Sequence, residues 1–418
     1  MANAFVQKPP LTLSEYAEKA NQTDRFAKAS DGETKLTFGL FGEVGGLLAA
    51  VKKVSRDQLR ESETEVAGEE IGDALWYLFA LATAKKIEPE VIGQTCLTYL
   101  WKYFSDDHRD RQGIVNFRQI DGLIASYGVD LGTRRRELLG ELARMSGELV
   151  SHGSHQLSLE QSTATESLGQ LLAMLALSCT SFMLKLEDIA RDNLVKVYGR
   201  WPGKALAYVE LFDSEYAEHE QLPRLLPMEF VERSTSRGTY VVQRLRDVYI
   251  GDRLTDNSNE PDDYRFHDVF HLAYAAHLGW SPVIRALLKL KRKSDPGIDE
   301  NEDGARAMII EEGIATWIFN HAKKRDFYED VQVGKLDYGL LKQVQSMVAG
   351  YEVEACPLWQ WERAILDGFR VFRELRKPEH RGGTVTVDMI GHTLSFAPPE
   401  GTEYDPHLIR ERPCKDLA

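Results

Sequence analysis

Two apolar helices that carry carboxylates constrain this chain more than any other feature. Residues 38–53 read FGLFGEVGGLLAAVKK, and residues 69–82 read EEIGDALWYLFALA. The run ALWYLFALA is apolar on nearly every side, which marks a buried helix. Just ahead of it, Glu70 and Asp73 stand three residues apart and so share one helix face. Isolated carboxylates entering a buried helix are very costly. A hard divalent cation, held by oxygen ligands, is the natural compensation. Glu43 on the first helix joins the pair, with Glu69 as a fourth acid within reach. These acids are expected to hold Mg2+, with Mn2+ as a substitute. A metal that bridges phosphate oxygens and acidifies water points to attack on a phosphoanhydride. Lys52 and Lys53, further along the first helix, are expected to meet the phosphates. The plain alternative, solvated helix surface, suits Glu69 and Lys53 best.

Charge limits the partners. A net charge of −14 argues against a general nucleic-acid binder. It leaves room for a nucleotide, because a bound metal inverts the local field. Cys96, Cys179, Cys356 and Cys414 have neither metal-ligand nor paired spacing, as expected in a reduced, cytoplasmic setting. The opening MANAFVQKPP lacks a charged-then-apolar signal pattern, and no apolar run reads as a bilayer span, so no membrane partner is expected.

The acid-bearing helices lie in an all-helical region. LTLSEYAEKANQTD opens it with Ser14 as N-cap, and IEPEVIGQTCLTYLWKYF closes it with Pro89 in a first turn. Residues 115–203 repeat the design: VNFRQIDGLIASYG, ELLGELARMSGELVSHG, TESLGQLLAMLALSC and LEDIARDNLVKVYGRW follow in the same order. In this alignment Ser167 falls on Glu70, Gln170 on Asp73, Met145 on Glu43 and Glu148 on Gly46. The second copy keeps the apolar pattern and loses most of the acids. Three regions are therefore expected: 1–110 with the acids, 111–205 as a degenerate copy, and 206–418. WPGKALAYVELFDSEYAEHEQLPRLLP reads as the linker into the last region. That region opens on a strand, GTYVVQRLRDVYIGD, continues as helices and ends in a hairpin, TVTVDMIGHTLSFA. The fold class expected is mainly α: tandem four-helix units, then a mostly helical α+β region with a terminal β-hairpin.

The pair GLFGEVGGLL and EEIGDALWYL resembles the all-α nucleoside triphosphate pyrophosphohydrolases of the MazG type, fully over 11–105 and weakly over 115–203. In that family a Glu-x-x-Glu helix and a Glu-x-x-Asp helix form the metal site. The resemblance assigns the first acid to Glu43, the third to Glu70 and the fourth to Asp73; the second falls on Gly46 and is missing. One ligand must then come from water, from Glu69 or from elsewhere. Family members pair their helices across a dimer, so the tandem copy implies a covalent pseudo-dimer in which Glu148 lies near the metal. Asn193 and Lys196 match the family's Asn-x-x-Lys pattern on the last helix and imply nucleotide contact; Thr95 and Thr98 hold those places in the first copy. A homo-oligomer is a further expectation.

Residues 206–418 carry their own cluster. His267, Asp268 and His271 in YRFHDVFHLAYAAH lie within about a turn, and the two histidines share a face. Glu311 and Glu312 enter an apolar helix downstream. Two histidines with carboxylates on adjacent helices suit zinc, manganese or iron. The alternative role is acid–base work by a histidine, with Lys291, Arg292, Lys293 and Arg306 gripping phosphate and His277 as a spare. Hydrogen-bonded buried groups beside a solvated KLKRK face are the structural reading. This region also resembles the C-terminal extension of some MazG-type proteins. Three functions follow: a Mg2+-dependent enzyme splitting a (d)NTP or related nucleotide into monophosphate and pyrophosphate; a two-centre hydrolase; or a nucleotide sensor that binds without cleaving.

Overall fold

The computed structural model describes residues 9–57, 62–104, 113–154, 161–203, 206–236 and 238–399. The first residues of the opening segment, Cys414 and the tail beyond Pro399 lie outside them. Among the described residues the protein is mainly α, 61% helical, with a small five-stranded antiparallel sheet. It divides into two compact units, Met1–Lys204 and Ala205–Ala418.

The first unit consists of α1 (Leu13–Asn21), α2 (Gly32–Asp57), α3 (Glu63–Ala84), α4 (Pro89–Tyr103), α5 (Phe117–Ser126), α6 (Arg135–Ser154), α7 (Gln161–Ser181) and α8 (Leu186–Arg200). Capping sets several of its starts. Thr12 with Glu15, Ser62 with Glu65 and Asn116 with Gln119 each form a reciprocal capping box. Thr12, and not Ser14, is thus the cap of α1; the Ser14 hydroxyl donates to Glu90 instead. Pro89 does open α4. The segments before α1 and α5 pair, with Leu13 N–H donating to Val115 O and Phe117 N–H to Leu11 O. One apolar core runs through both halves, from Leu11 to Val197. The stretch Gly32–Lys52 of α2 is long and apolar enough to cross a membrane by length and composition, as is the α7–α8 pair if its 101° bend is ignored. In α2, Leu36, Leu40, Val44 and Leu47 are buried in the core.

Packing between the halves is reciprocal: α3 lies against α8, and α4 against α7. Glycines permit the close approach. A Cβ on Gly72 of α3 would meet Asn193 at 3.2 Å, and one on Gly169 of α7 would meet Thr95 at 2.4 Å.

The second unit holds β1 (Leu225–Thr235), β2 (Gly238–Leu245), β3 (Val248–Leu254), α9 (Asp268–Leu278), α10 (Pro282–Leu288), α11 (Pro296–Asn301), α12 (Ala305–Lys323), α13 (Tyr338–Met347), α14 (Leu358–Leu375), β4 (Thr384–Asp388) and β5 (Thr393–Ala397). The strand order is β3-β2-β1-β4-β5. β4 and β5 form the expected terminal hairpin. GTYVVQRLRDVYIGD is two strands rather than one: β2 turns into β3 at Arg246 and Asp247, both at positive φ, the geometry that tight hairpin turns require. β1 begins inside what reads as linker. Its Pro227 lies where β1 pairs with β4 alone, before β2 begins, so the missing N–H is tolerated. α9 is buried along its whole length, packs on α14, β4 and β5, and ends at Gly279 in the left-handed conformation.

Candidate functional site

In the first unit, α2 contributes Glu43, α3 contributes Glu69, Glu70 and Asp73, and α8 contributes Asn193 and Lys196. Burial, then the charges of Asp73 and Glu70, push Glu43 up to about 7, and a hydrogen bond joins it to Glu70. Burial is also the main cause of the raised Glu70 value. Asp73 accepts from Asn193 Nδ2 at 3.0 Å and from Lys196 Nζ. Lys196 also reaches Glu69, at 2.8 Å. Tyr16 donates to Asn193 Oδ1 at 2.8 Å and so fixes the amide orientation. Lys196 therefore bridges two of the four carboxylates, Glu69 and Asp73. Burial and the nearby Glu43 and Asp73 charges hold the Tyr77 phenol up at about 12.

Gly46 is sterically tied to this cluster. A Cβ there would lie 2.2 Å from Glu70 Oε2, so Glu70 fills the space that an acid at position 46 would need. Lys52 is exposed at the far end of α2, and the Lys53 side chain lies outside the described residues. Glu148 is also exposed and is bound by Arg144 on its own helix. In the other half, Thr95, Thr98, Glu166 and Gln170 line a cavity of about 670 Å³.

The second unit builds a different site at the start of α9. A 3-10 turn, Tyr264–Phe266, leads into His267, and buried Arg265 pins that turn through Glu232, Asp256 and Asp263. His267 Nδ1 faces the Tyr264 carbonyl at 2.9 Å, while the ring stacks on Tyr264. His271 Nδ1 faces Glu311 Oε1 at 2.8 Å. These acceptors hold each ring through Nδ1 and turn His267 Nε2 toward Asp268 and His271 Nε2 toward Glu312. His267 Nε2 lies 3.1 Å from Asp268 Oδ1 and 3.7 Å from Glu312 Oε2; His271 Nε2 lies 3.4 Å from Glu312 Oε2. Among the described residues, His267, Asp268 and His271 alone bring three such ligand atoms within 4.8 Å of one another. Burial lowers the His271 pKa, but Glu311 and Glu312 outweigh it and hold the imidazole well above its ordinary range.

Residues 207–400 match the family model of the MazG C-terminal domain. The second unit is MazG-related. That match takes in the His267 cluster and leaves the acid-bearing helices of the first unit outside it. No curated protein and no solved structure matches the chain.

Within the MazG-related unit, several expected roles change. Glu311 is fully buried and accepts from His271, Ser281 Oγ at 2.6 Å and Val283 N–H at 2.8 Å. It orients His271 and is no ligand, whereas Glu312, 43% exposed, turns into the cluster. Arg292 cannot grip phosphate: it is fully buried between Asp303 and Glu352. His277 is no spare either, since its Nε2 pairs with Asp367 at 2.9 Å. Arg306 and Lys293 are exposed. Gln243 of β2, whose side chain donates to Asp268 Oδ2, escapes a sequence reading because no motif links a strand glutamine to a distant helix start.

Proposed function

We propose that the protein is a Mg2+-dependent nucleotide pyrophosphohydrolase that cleaves a (d)NTP or related nucleotide to the monophosphate and pyrophosphate. The observation that carries this reading is the crowding of Glu43, Glu70 and Asp73, with Glu43 held near 7 by burial and by its neighbours' charge. Oxygen-only donors with excess negative charge fit a hard divalent ion. When bound there, Mg2+ supplies charge neutralisation for phosphate oxygens and a more acidic water. Glu43, Glu70 and Asp73 are the residues that would hold it. Asn193 and Lys196 orient Asp73, and both are near enough to meet a nucleotide bound over the acids. The reciprocal packing of α3 on α8 and α4 on α7 supports a pseudo-dimer in which one half supplies the acids and the other the amide and ammonium. The MazG-related second unit supports a nucleotide-linked role.

Gly46 favours a second reading, a sensor that binds nucleotide without cleaving it, because the second acid is absent and Glu70 occupies its space. A panel of NTPs and dNTPs incubated with Mg2+, with pyrophosphate resolved from phosphate, separates the two. Pyrophosphate release that is abolished in Glu70→Gln and retained in His267→Ala is the expected result. Tight nucleotide binding without release would transfer the protein to the sensor reading.

A further inference from the structure

The His267 cluster supports an inference that stands apart from the pyrophosphohydrolase reading. We propose that the second unit is a mononuclear transition-metal centre, ligated by His267 Nε2, His271 Nε2, Asp268 and Glu312, with a coordination position open to solvent on the Glu312 side. Ligands about 2.0–2.2 Å from a metal stand roughly 2.9–3.5 Å apart in octahedral or tetrahedral geometry. Two of the measured separations, 3.1 and 3.4 Å, fall in that range and the third, 3.7 Å, lies just beyond it.

A supporting shell surrounds the four groups, as it does in built metal sites. Glu311 holds His271 through Nδ1, the Tyr264 carbonyl holds His267 through Nδ1, and Gln243 holds the far oxygen of Asp268. His271 Nε2 is completely buried and makes no hydrogen bond of its own. Buried polar atoms are satisfied as a rule, and this one points at three other ligand atoms. Simple helix-tying hydrogen bonds would not leave both imidazoles clamped at Nδ1 with both Nε2 atoms facing one spot.

Donor chemistry selects the ion. Two imidazole nitrogens with two carboxylates suit Mn2+, Fe2+, Co2+ or Zn2+ and disfavour Mg2+ and Ca2+, which take oxygen ligands. Cysteine, the usual ligand of closed structural zinc sites, takes no part. His267, Asp268 and His271 are buried while the Glu312 side chain is 43% exposed, so water reaches the site past Glu312. Centres with an exchangeable position are of the catalytic kind.

The test uses the full chain, stripped by chelator and then titrated with Co2+ in excess Mg2+, which occupies the carboxylates of the first unit. Visible absorption and metal content report the binding. Wild type and Glu70→Gln are expected to take up one Co2+ in the second unit with the same spectrum. Glu312→Gln, an exposed and structurally mild change, is expected to weaken that binding at least tenfold, and His271→Ala to abolish it. Glu311→Gln should weaken it by about 10- to 100-fold through the freed imidazole. Added azide should shift the Co2+ bands. The centre is overturned if the folded wild-type chain takes up no Co2+ under these conditions, or if Glu312→Gln binds it as wild type does. Bands unmoved by azide would overturn the open position.

Discussion

At position 46 a single hydrogen atom decides how the acid cluster is arranged. Glycine there lets Glu70 lie back over α2, and a methyl group would meet Glu70 Oε2 at 2.2 Å. Alanine inside a helix is worth about 0.5–1 kcal/mol over glycine, and the displaced group is the flexible end of a side chain. Gly46→Ala is therefore expected to leave thermal stability unchanged or slightly raised while Mg2+-dependent pyrophosphate release falls about tenfold, roughly 1.4 kcal/mol of barrier. Paired melting and kinetic measurements check this; a loss of stability with normal turnover would contradict it. Adjacent residues on a helix make the same point about legibility. Glu311 and Glu312 look equivalent in the sequence, yet about 100° of helix rotation separates them. One is sealed beneath His271 and the other is turned into the cluster. The spacing of Glu70 and Asp73 was readable; which of two neighbouring acids reaches a ligand position was not.

Elements are fixed by polar anchors as much as by their apolar faces. α8, which brings Asn193 and Lys196 to Asp73, is tied down at its first turn. Asp121 accepts from the Leu186 and Glu187 N–H groups, and Glu187 accepts from Arg118, Arg191 and Leu11 N–H. Burial pushes Glu187 up, but those hydrogen bonds outweigh it and leave its carboxyl below the ordinary 4.5. A lowered folded-state pKa gives stability that is fully present above the unfolded value and is lost as the pH falls through the folded one. Melting of the first unit should therefore steepen in its loss of stability below about pH 4.5. Glu187→Gln should start less stable at neutral pH and lose less across that window. Parallel pH slopes for the two proteins would show that Glu187 is not the linked group. Sequence patterns located α8 and its polar residues. They did not reveal the β2–β3 turn, because Arg246 and Asp247 adopt positive φ without a glycine to announce it.

On the scale of the whole molecule, each unit has its own core, and calorimetry should resolve two unfolding transitions. Arg292 tests the assignment. It is buried between Asp303 and Glu352, and removing one member of a buried ion pair costs about 3–5 kcal/mol. Arg292→Met is expected to lower the second unit's transition and leave the other where it was. A common shift of both would mean that the two unfold together. Ligand linkage provides an independent marker, since an ion stabilises only the unit that binds it.

Residue order alone is enough to read the mainly helical class, the terminal hairpin, the shared helix face of Glu70 and Asp73 and the proximity of His267, Asp268 and His271. All of these depend on spacing within one element or across one turn, where helix and strand geometry set direction. Other features come from packing, which spacing cannot encode. Burial turned Arg292 from an expected phosphate grip into a sealed ion pair. The packing of α3 on α8 brought Asn193 and Lys196 onto Asp73 across more than a hundred residues of chain. The pairing of α9 with α12 separated Glu311, which orients, from Glu312, which faces the cluster. Contacts of that kind depend on which faces meet in the folded core, and that information is spread over the chain rather than held in any one motif.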